Sequence, residues 1–79
     1  MLEPIVTLSE LKLGEKGVVA DIRGKSADRR RMLDLGIVEN TVIEALQKSP
    51  SGDPTAYQIR GAVIALRDYE ARRISVSRA

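Results

Sequence analysis

A chain of 79 residues without cysteine has room for one small domain, residues 1–79, that no disulfide can reinforce. It also has no histidine, so the commonest catalytic base, the commonest nucleophile and the usual zinc and copper ligands are missing, which argues against an enzyme. Thirteen basic and eleven acidic residues give a net charge of +2, too small to indicate nucleic-acid binding by itself.

We expect neither an export signal nor a membrane-spanning segment. The amino terminus, Met1-Leu2-Glu3-Pro4, contains an acid and a proline where a secretory signal would have basic residues before a long apolar stretch. The longest unbroken apolar run, residues 62–66, is far shorter than the ~20 residues of a membrane-spanning helix. A cytoplasmic protein is therefore predicted.

The first residues of the chain predict a turn followed by a strand. Thr7 and Glu10 have the spacing of a capping box, which predicts a short helical turn. Alternating polarity over residues 18–23 predicts a half-buried strand. Its apolar side is formed by Val18, Ala20 and Ile22.

A short amphipathic helix is predicted over residues 27–35. Ser26 is a suitable N-cap residue, and Gly36 suits the left-handed position at which many helices end. The apolar side chains expected on one side of this helix are Met32, Leu33 and Leu35.

The second half of the chain predicts strands joined by turns. Residues 41–48 are rich in β-branched side chains and apolar on both faces, which predicts a strand that is covered on both sides. The loop Pro50-Ser51-Gly52-Asp53-Pro54 has the residues that turns require and should join two antiparallel strands. Further strands are predicted around Tyr57 and Ile59, at residues 62–66 after a reversal at Gly61, and at Ile74 and Val76, with one helical turn at residues 67–71.

Five short strands are too few for two stacked sheets of ordinary size. We therefore predict a mainly β fold with short helices, built as a small and strongly bent barrel whose closure would remove exposed strand edges. Ser75 and Ser77 are expected at solvent-facing positions of an edge strand.

Three aspartates could in principle gather around a hard cation, although calcium usually requires a dense acidic loop. We expect these aspartates to cap helices or to balance nearby arginines, so the sequence predicts no metal site and no cofactor. The three residues are Asp21, Asp28 and Asp34.

The basic run Arg29-Arg30-Arg31 has three interpretations: a solvated helix face, a docking surface for an acidic protein partner, or a patch that contacts nucleic-acid phosphates. Nucleic acid is the least favoured, because the sequence lacks phenylalanine and tryptophan and its two tyrosines are far from the run.

Several short motifs occur in the order that is typical of one known family. They are a leucine- and glycine-containing segment at residues 8–17, Leu33-Asp34-Leu35-Gly36-Ile37, the loop at residues 50–54, Arg60-Gly61, Ile64-Ala65-Leu66-Arg67, Glu70-Ala71 and Ile74-Ser75-Val76. The chain resembles the FeoA family over nearly its whole length. Asn40 stands where the family usually has glycine, and asparagine is the other residue that best tolerates a left-handed backbone.

The resemblance implies an SH3-like β-barrel that serves bacterial ferrous iron uptake as a cytoplasmic accessory component. Its implied partner is FeoB, a membrane permease with a cytosolic GTPase domain, and at the level of the family it implies transition-metal-ion binding. Such a component acts by docking and not by catalysis. The candidate contacts are Arg29, Arg30, Arg31, Met32, Pro50, Ser51, Gly52, Asp53 and Pro54.

Two other functions remain open at this point. Small barrels of this shape also bind nucleic acid or follow the DNA-binding domain of iron-dependent repressors, so the chain could be a stand-alone relative of that C-terminal domain. It could also form homo-oligomers through an exposed barrel edge.

Overall fold

Short strands alternate with two short helices in the computed structural model, which describes residues 4–79. The prediction that the amino terminus is not an export signal concerns Met1-Leu2-Glu3, which lie outside this range. The elements are β1 (Ile5–Thr7), a 3-10 turn (Leu8–Glu10), β2 (Lys16–Ile22), α1 (Ser26–Asp34), β3 (Val42–Lys48), β4 (Thr55–Ile59), β5 (Ala62–Leu66), α2 (Asp68–Ala71) and β6 (Ile74–Arg78). The strands of the described range form an antiparallel sheet in the order β1-β6-β2-β3-β4-β5.

The mainly β fold with short helices is confirmed, but the expected closure is not. β1 and β5 are the two ends of the hydrogen-bonded order, so each has one edge that pairs with no other strand of residues 4–79. The strand β1 was not predicted, although its three residues include β-branched Ile5, Val6 and Thr7.

The expectation that Ser75 and Ser77 belong to an edge strand is wrong. β6 lies between β1 and β2, with Ser75 opposite Thr7 on one side and Asp21 on the other. Ser75 is consequently buried. The pairing with β1, which the sequence analysis lacked, is what encloses this strand.

The prediction that Val18, Ala20 and Ile22 form one buried face of β2 is also wrong, because the strand contains a bulge. Val19 is buried in the core, whereas Ala20 is exposed. The pairing with β6 shifts between Val19 and Asp21, and this shift returns Ile22 to the core side. A strict alternation of positions cannot include such an extra residue.

β3 is covered on one face only, which corrects the prediction of two covered faces. Ile43 and Ala45 are buried. Val42 is 51% exposed and Leu46 is 36% exposed, because the bent sheet wraps around one core and its outer face meets solvent. The buried apolar residues of this core are Leu8, Leu11, Val19, Met32, Ile37, Ile43, Ala45, Tyr57, Ile59, Leu66, Ala71, Ile74 and Val76.

The helix α1 is confirmed, but Ser26 is its first residue and Lys25 is its N-cap residue, which corrects the prediction that Ser26 caps the helix. Its exposed side includes a leucine that was expected with the buried residues. Met32 is buried and Leu35 packs against the core, whereas Leu33 is 57% exposed. Successive residues of an α-helix are about 100° apart around its axis, so Leu33 points away when Met32 faces the core.

The predicted turns are confirmed by the backbone. Gly36 and Asn40 have φ angles of 84° and 70°, and Arg60 and Gly61 have 49° and 82°, as a two-residue hairpin turn requires. The 3-10 turn is capped as predicted, since the backbone N–H of Thr7 donates to the Glu10 carboxylate at 2.8 Å.

Gly17 in β2 is required for close packing against β6. A Cβ atom at this position would lie 2.8 Å from Val76 Cγ2 and 3.2 Å from Leu11 Cδ1. We predict that Gly17→Ala lowers the free energy of unfolding by about 1–3 kcal/mol, because the added methyl group overpacks the core. Urea denaturation measures this change, and a midpoint equal to that of the parent protein would contradict it.

Candidate functional site

Glu70 on α2 connects the two helices. Its side chain is 7% exposed, and its carboxylate accepts one hydrogen bond from Arg31 Nε on α1 and a second from the backbone N–H of Arg67 at 3.0 Å. Burial by itself would raise the pKa of Glu70, but the hydrogen bonds from Arg31 and Arg67 outweigh it and hold this pKa below its ordinary value. The hydrogen bond between Arg31 and Glu70 also raises the pKa of Arg31.

A second ion pair holds α1 beside the segment that follows α2. Arg73 Nη1 lies 2.6 Å from Asp28 Oδ2, and the Arg73 guanidinium lies 5.9 Å from the centre of the Tyr69 ring. Tyr69, which is distant from the basic run in sequence, is therefore near α1 in space.

The loop at residues 50–54 is attached to the other end of α2. Asp53 Oδ1 accepts the backbone N–H of Asp68 at 2.9 Å, and Asp53 Oδ2 lies 3.9 Å from Arg67 Nη1. Ser51 Oγ donates to the backbone oxygen of Asp53 at 3.0 Å, and the peptide bond between Asp53 and Pro54 is cis. Asp53 therefore positions the loop on α2.

The predicted contact residues fall into three groups. Arg29 and Arg30 are exposed and have no ion-pair partner among residues 4–79, and Pro50, Ser51 and Gly52 are exposed as well. Arg31 and Asp53 are engaged with α2, and Pro54 is half-buried. Met32 is buried in the core, which corrects its inclusion among the surface contacts.

An open groove, the α1 groove, lies between α1 and the end of β2. It has a volume of about 280 Å³ and is lined by Asp21, Ile22, Arg29, Leu33, Val38 and Glu39. Leu33 and Val38 are exposed, Ile22 is half-buried, and the other three residues bring charges of both signs. The groove can hold an apolar side chain of a partner and contact charged groups beside it.

Of the residues that line this groove, only Arg29 was among the partner contacts predicted from the sequence, and the apolar residues of the groove were not. Arg29 and Leu33 are four positions apart in α1, which is the spacing that places two side chains on the same helix face. This spacing was the available signal for Leu33. Val38 and Ile22 come from other segments, and only the fold brings them there.

Within residues 4–79, no three residues of the histidine, cysteine, aspartate and glutamate types form a cluster that could hold a metal ion. The helices of this range are also too short and too polar to cross a membrane.

We predict that Glu70→Gln destabilises the protein, because it leaves Arg31 without its buried ionic partner. At neutral pH the free energy of unfolding should fall by about 1–2 kcal/mol. Since the pKa of Glu70 is lowered in the folded state, the carboxylate stabilises the protein above its ordinary pKa, and this contribution is lost as the pH falls through the lowered value.

Denaturation curves between about pH 2 and pH 7 test this expectation. The variant should lose part of the acid dependence below the ordinary glutamate pKa. Glu44→Gln is the matched control, because Glu44 has no ion pair and no side-chain hydrogen bond within the described residues. Equal pH profiles for the two variants would contradict the role of Glu70.

The fold is shared with domains of repressors. A manganese-dependent transcriptional repressor aligns with a TM-score of 0.87 and 22% identity, over 98% of this chain and 43% of that chain. At this identity the likeness concerns the fold alone.

Relatives of higher identity are named as Fe(2+) transport proteins. A Porphyromonas gingivalis protein, "Fe(2+) transport protein A/Fe(2+) transporter FeoB fusion protein", is 35% identical over 69 residues, which is 87% of this chain and 8% of that protein. This chain therefore spans a small part of that relative.

Solved structures of higher identity are also those of FeoA proteins. A FeoA-like protein from Clostridium acetobutylicum is 37% identical with a TM-score of 0.88, over 99% of this chain and 90% of that chain. Stenotrophomonas maltophilia FeoA, solved with zinc and described as an SH3 domain protein, is 34% identical with a TM-score of 0.80, over 91% and 89%. The family model of the FeoA domain matches residues 6–78. The chain, with its six-stranded SH3-like sheet, belongs to the FeoA family.

Proposed function

We propose that this chain is a cytoplasmic accessory component of ferrous iron uptake and docks on the cytosolic part of a FeoB permease. One observation carries the proposal: the Porphyromonas gingivalis relative joins a transport protein A and a FeoB in one chain. Fusion keeps two modules at a high effective concentration, which serves partners that contact each other. The proposal requires a binding surface and no catalytic step.

The α1 groove is the surface that we assign to this docking. Its apolar residues come from α1, from β2 and from the segment after α1, so their relative positions are fixed by the fold. Leu33 is the most exposed of them at 57%. A partner side chain that covers Leu33, Val38 and Ile22 would remove apolar surface from water, at about 25 cal/mol per Å².

The charges around the groove favour a partner of a particular kind. Arg29 lines the groove, Arg30 follows it on α1, and both lack an ion-pair partner within residues 4–79. Acidic groups of a partner beside its apolar anchor would therefore match Arg29 and Arg30. Asp21 and Glu39 also line the groove and suit a basic group of the partner.

The purified cytosolic domain of FeoB from the same organism tests the proposal. We expect Leu33→Asp to weaken its binding to this chain by at least about tenfold, because the variant places a charge where an apolar contact is needed. Val42→Asp is the matched control, since Val42 is 51% exposed but lies on β3. Isothermal titration calorimetry measures both affinities, and circular dichroism verifies that both variants are folded.

Absence of binding by the folded parent protein at micromolar concentration would contradict docking. Equal losses in the two variants would contradict the assignment to the α1 groove. Pro50→Arg examines the loop separately, because Pro50 is exposed. Affinity for short RNA or DNA that falls steeply with salt would instead favour the nucleic-acid alternative.

A further inference from the structure

β5 presents an open and unprotected strand edge. It pairs with β4 and with no other strand of the described range. Its five residues, Ala62-Val63-Ile64-Ala65-Leu66, include no charged residue and no proline. Val63 is 64% exposed and Ala65 is exposed as well. Natural sheets usually protect such an edge with charge, proline or a bulge, and β5 has none of these.

The hairpin turn determines which backbone groups of β5 are open. A two-residue turn at Arg60 and Gly61 makes Ile59 and Ala62 a hydrogen-bonded pair, so the next such pair is Tyr57 with Ile64. The N–H and C=O groups of Val63 and Ala65 therefore point away from β4. No turn, loop or cap within residues 4–79 uses these four groups.

The other edge of the sheet, formed by β1, is better protected than the edge formed by β5. β1 has only three residues, and a 3-10 turn follows it directly. Pro4 precedes it and cannot donate a backbone hydrogen bond. Of the two edges, β5 is thus the longer one and the one suited to a further strand.

We propose that β5 pairs antiparallel with β5 of a second copy of this chain, around a two-fold axis at Ile64. In this register Val63 of each copy lies opposite Ala65 of the other, and the open groups form four hydrogen bonds between the copies. A large side chain then meets a small one on both sides of the axis, and no charge lies opposite a like charge within the strands.

The ends of the strand add charge complementarity to this arrangement. The register brings the turn at Arg60 of one copy beside the corner at Asp68 of the other. Arg60 has no ion-pair partner among residues 4–79, and the corner holds the half-exposed carboxylates of Asp53 and Asp68. Arg67 and Arg72 already share these carboxylates, so the added attraction is small.

A second copy of this chain suits the β5 edge because the strand is self-complementary, and this pairing is independent of the docking to FeoB. Five paired residues bury far less than the ~1,200–2,000 Å² of a stable interface, so association should be weak and should depend on concentration.

Sedimentation velocity of the full chain between about 10 µM and 1 mM tests the proposal, together with amide hydrogen exchange measured by NMR. The average mass should rise toward twice that of the monomer, and exchange at Val63 and Ala65 should slow as concentration increases. Val63→Lys should weaken association by at least about tenfold, because it introduces a charge at the edge. Val42→Lys is the matched control, being similarly exposed on a central strand.

Three results would overturn the proposal. The first is a monomeric mass at all concentrations. The second is an equal effect of the two lysine variants, which would indicate association through the outer face of the sheet. The third is association without slower exchange at Val63 and Ala65, and this measurement on the parent protein holds even if a variant fails to fold.

Discussion

The position of β6 inside the sheet is the constraint on which the rest of the structure depends. Val76 lies opposite Val6 on one neighbouring strand and Val19 on the other, and Ile74 lies opposite Ile22. Both β6 residues are fully buried. Because β6 follows the other strands of residues 4–79 and pairs with β1 and β2, the sheet is complete only when its first and last described strands are both in place.

The junction between the helices follows from this constraint. α2 immediately precedes β6, so the strand fixes where Glu70 lies. Glu70 then holds Arg31 on α1, while Asp53 binds the N–H of Asp68 and positions the loop. Arg31 and Asp53, which are far apart in sequence, therefore both contact α2. The contact with Arg31 holds α1 in place and so fixes the shape of the α1 groove.

The two surfaces assigned to binding differ in chemistry and in place. The α1 groove offers apolar side chains between charges, which selects a partner by its side chains. The β5 edge offers backbone groups, which accept any compatible extended strand. β3 and β4 separate β2, which lines the groove, from β5 in the sheet, so the surfaces do not overlap.

Local chemistry in the sequence determined the helices, most strands, the left-handed positions at Gly36 and Asn40, and the family, because capping, alternation and turn residues act over a few positions. Only the tertiary structure decided that β1 pairs with β6, that a bulge reverses the face of β2, and that Met32 is buried while Leu33 lines a groove. These features depend on contacts between distant segments, namely the pairing of the strands and the packing of α1 on the sheet, which short-range patterns do not encode.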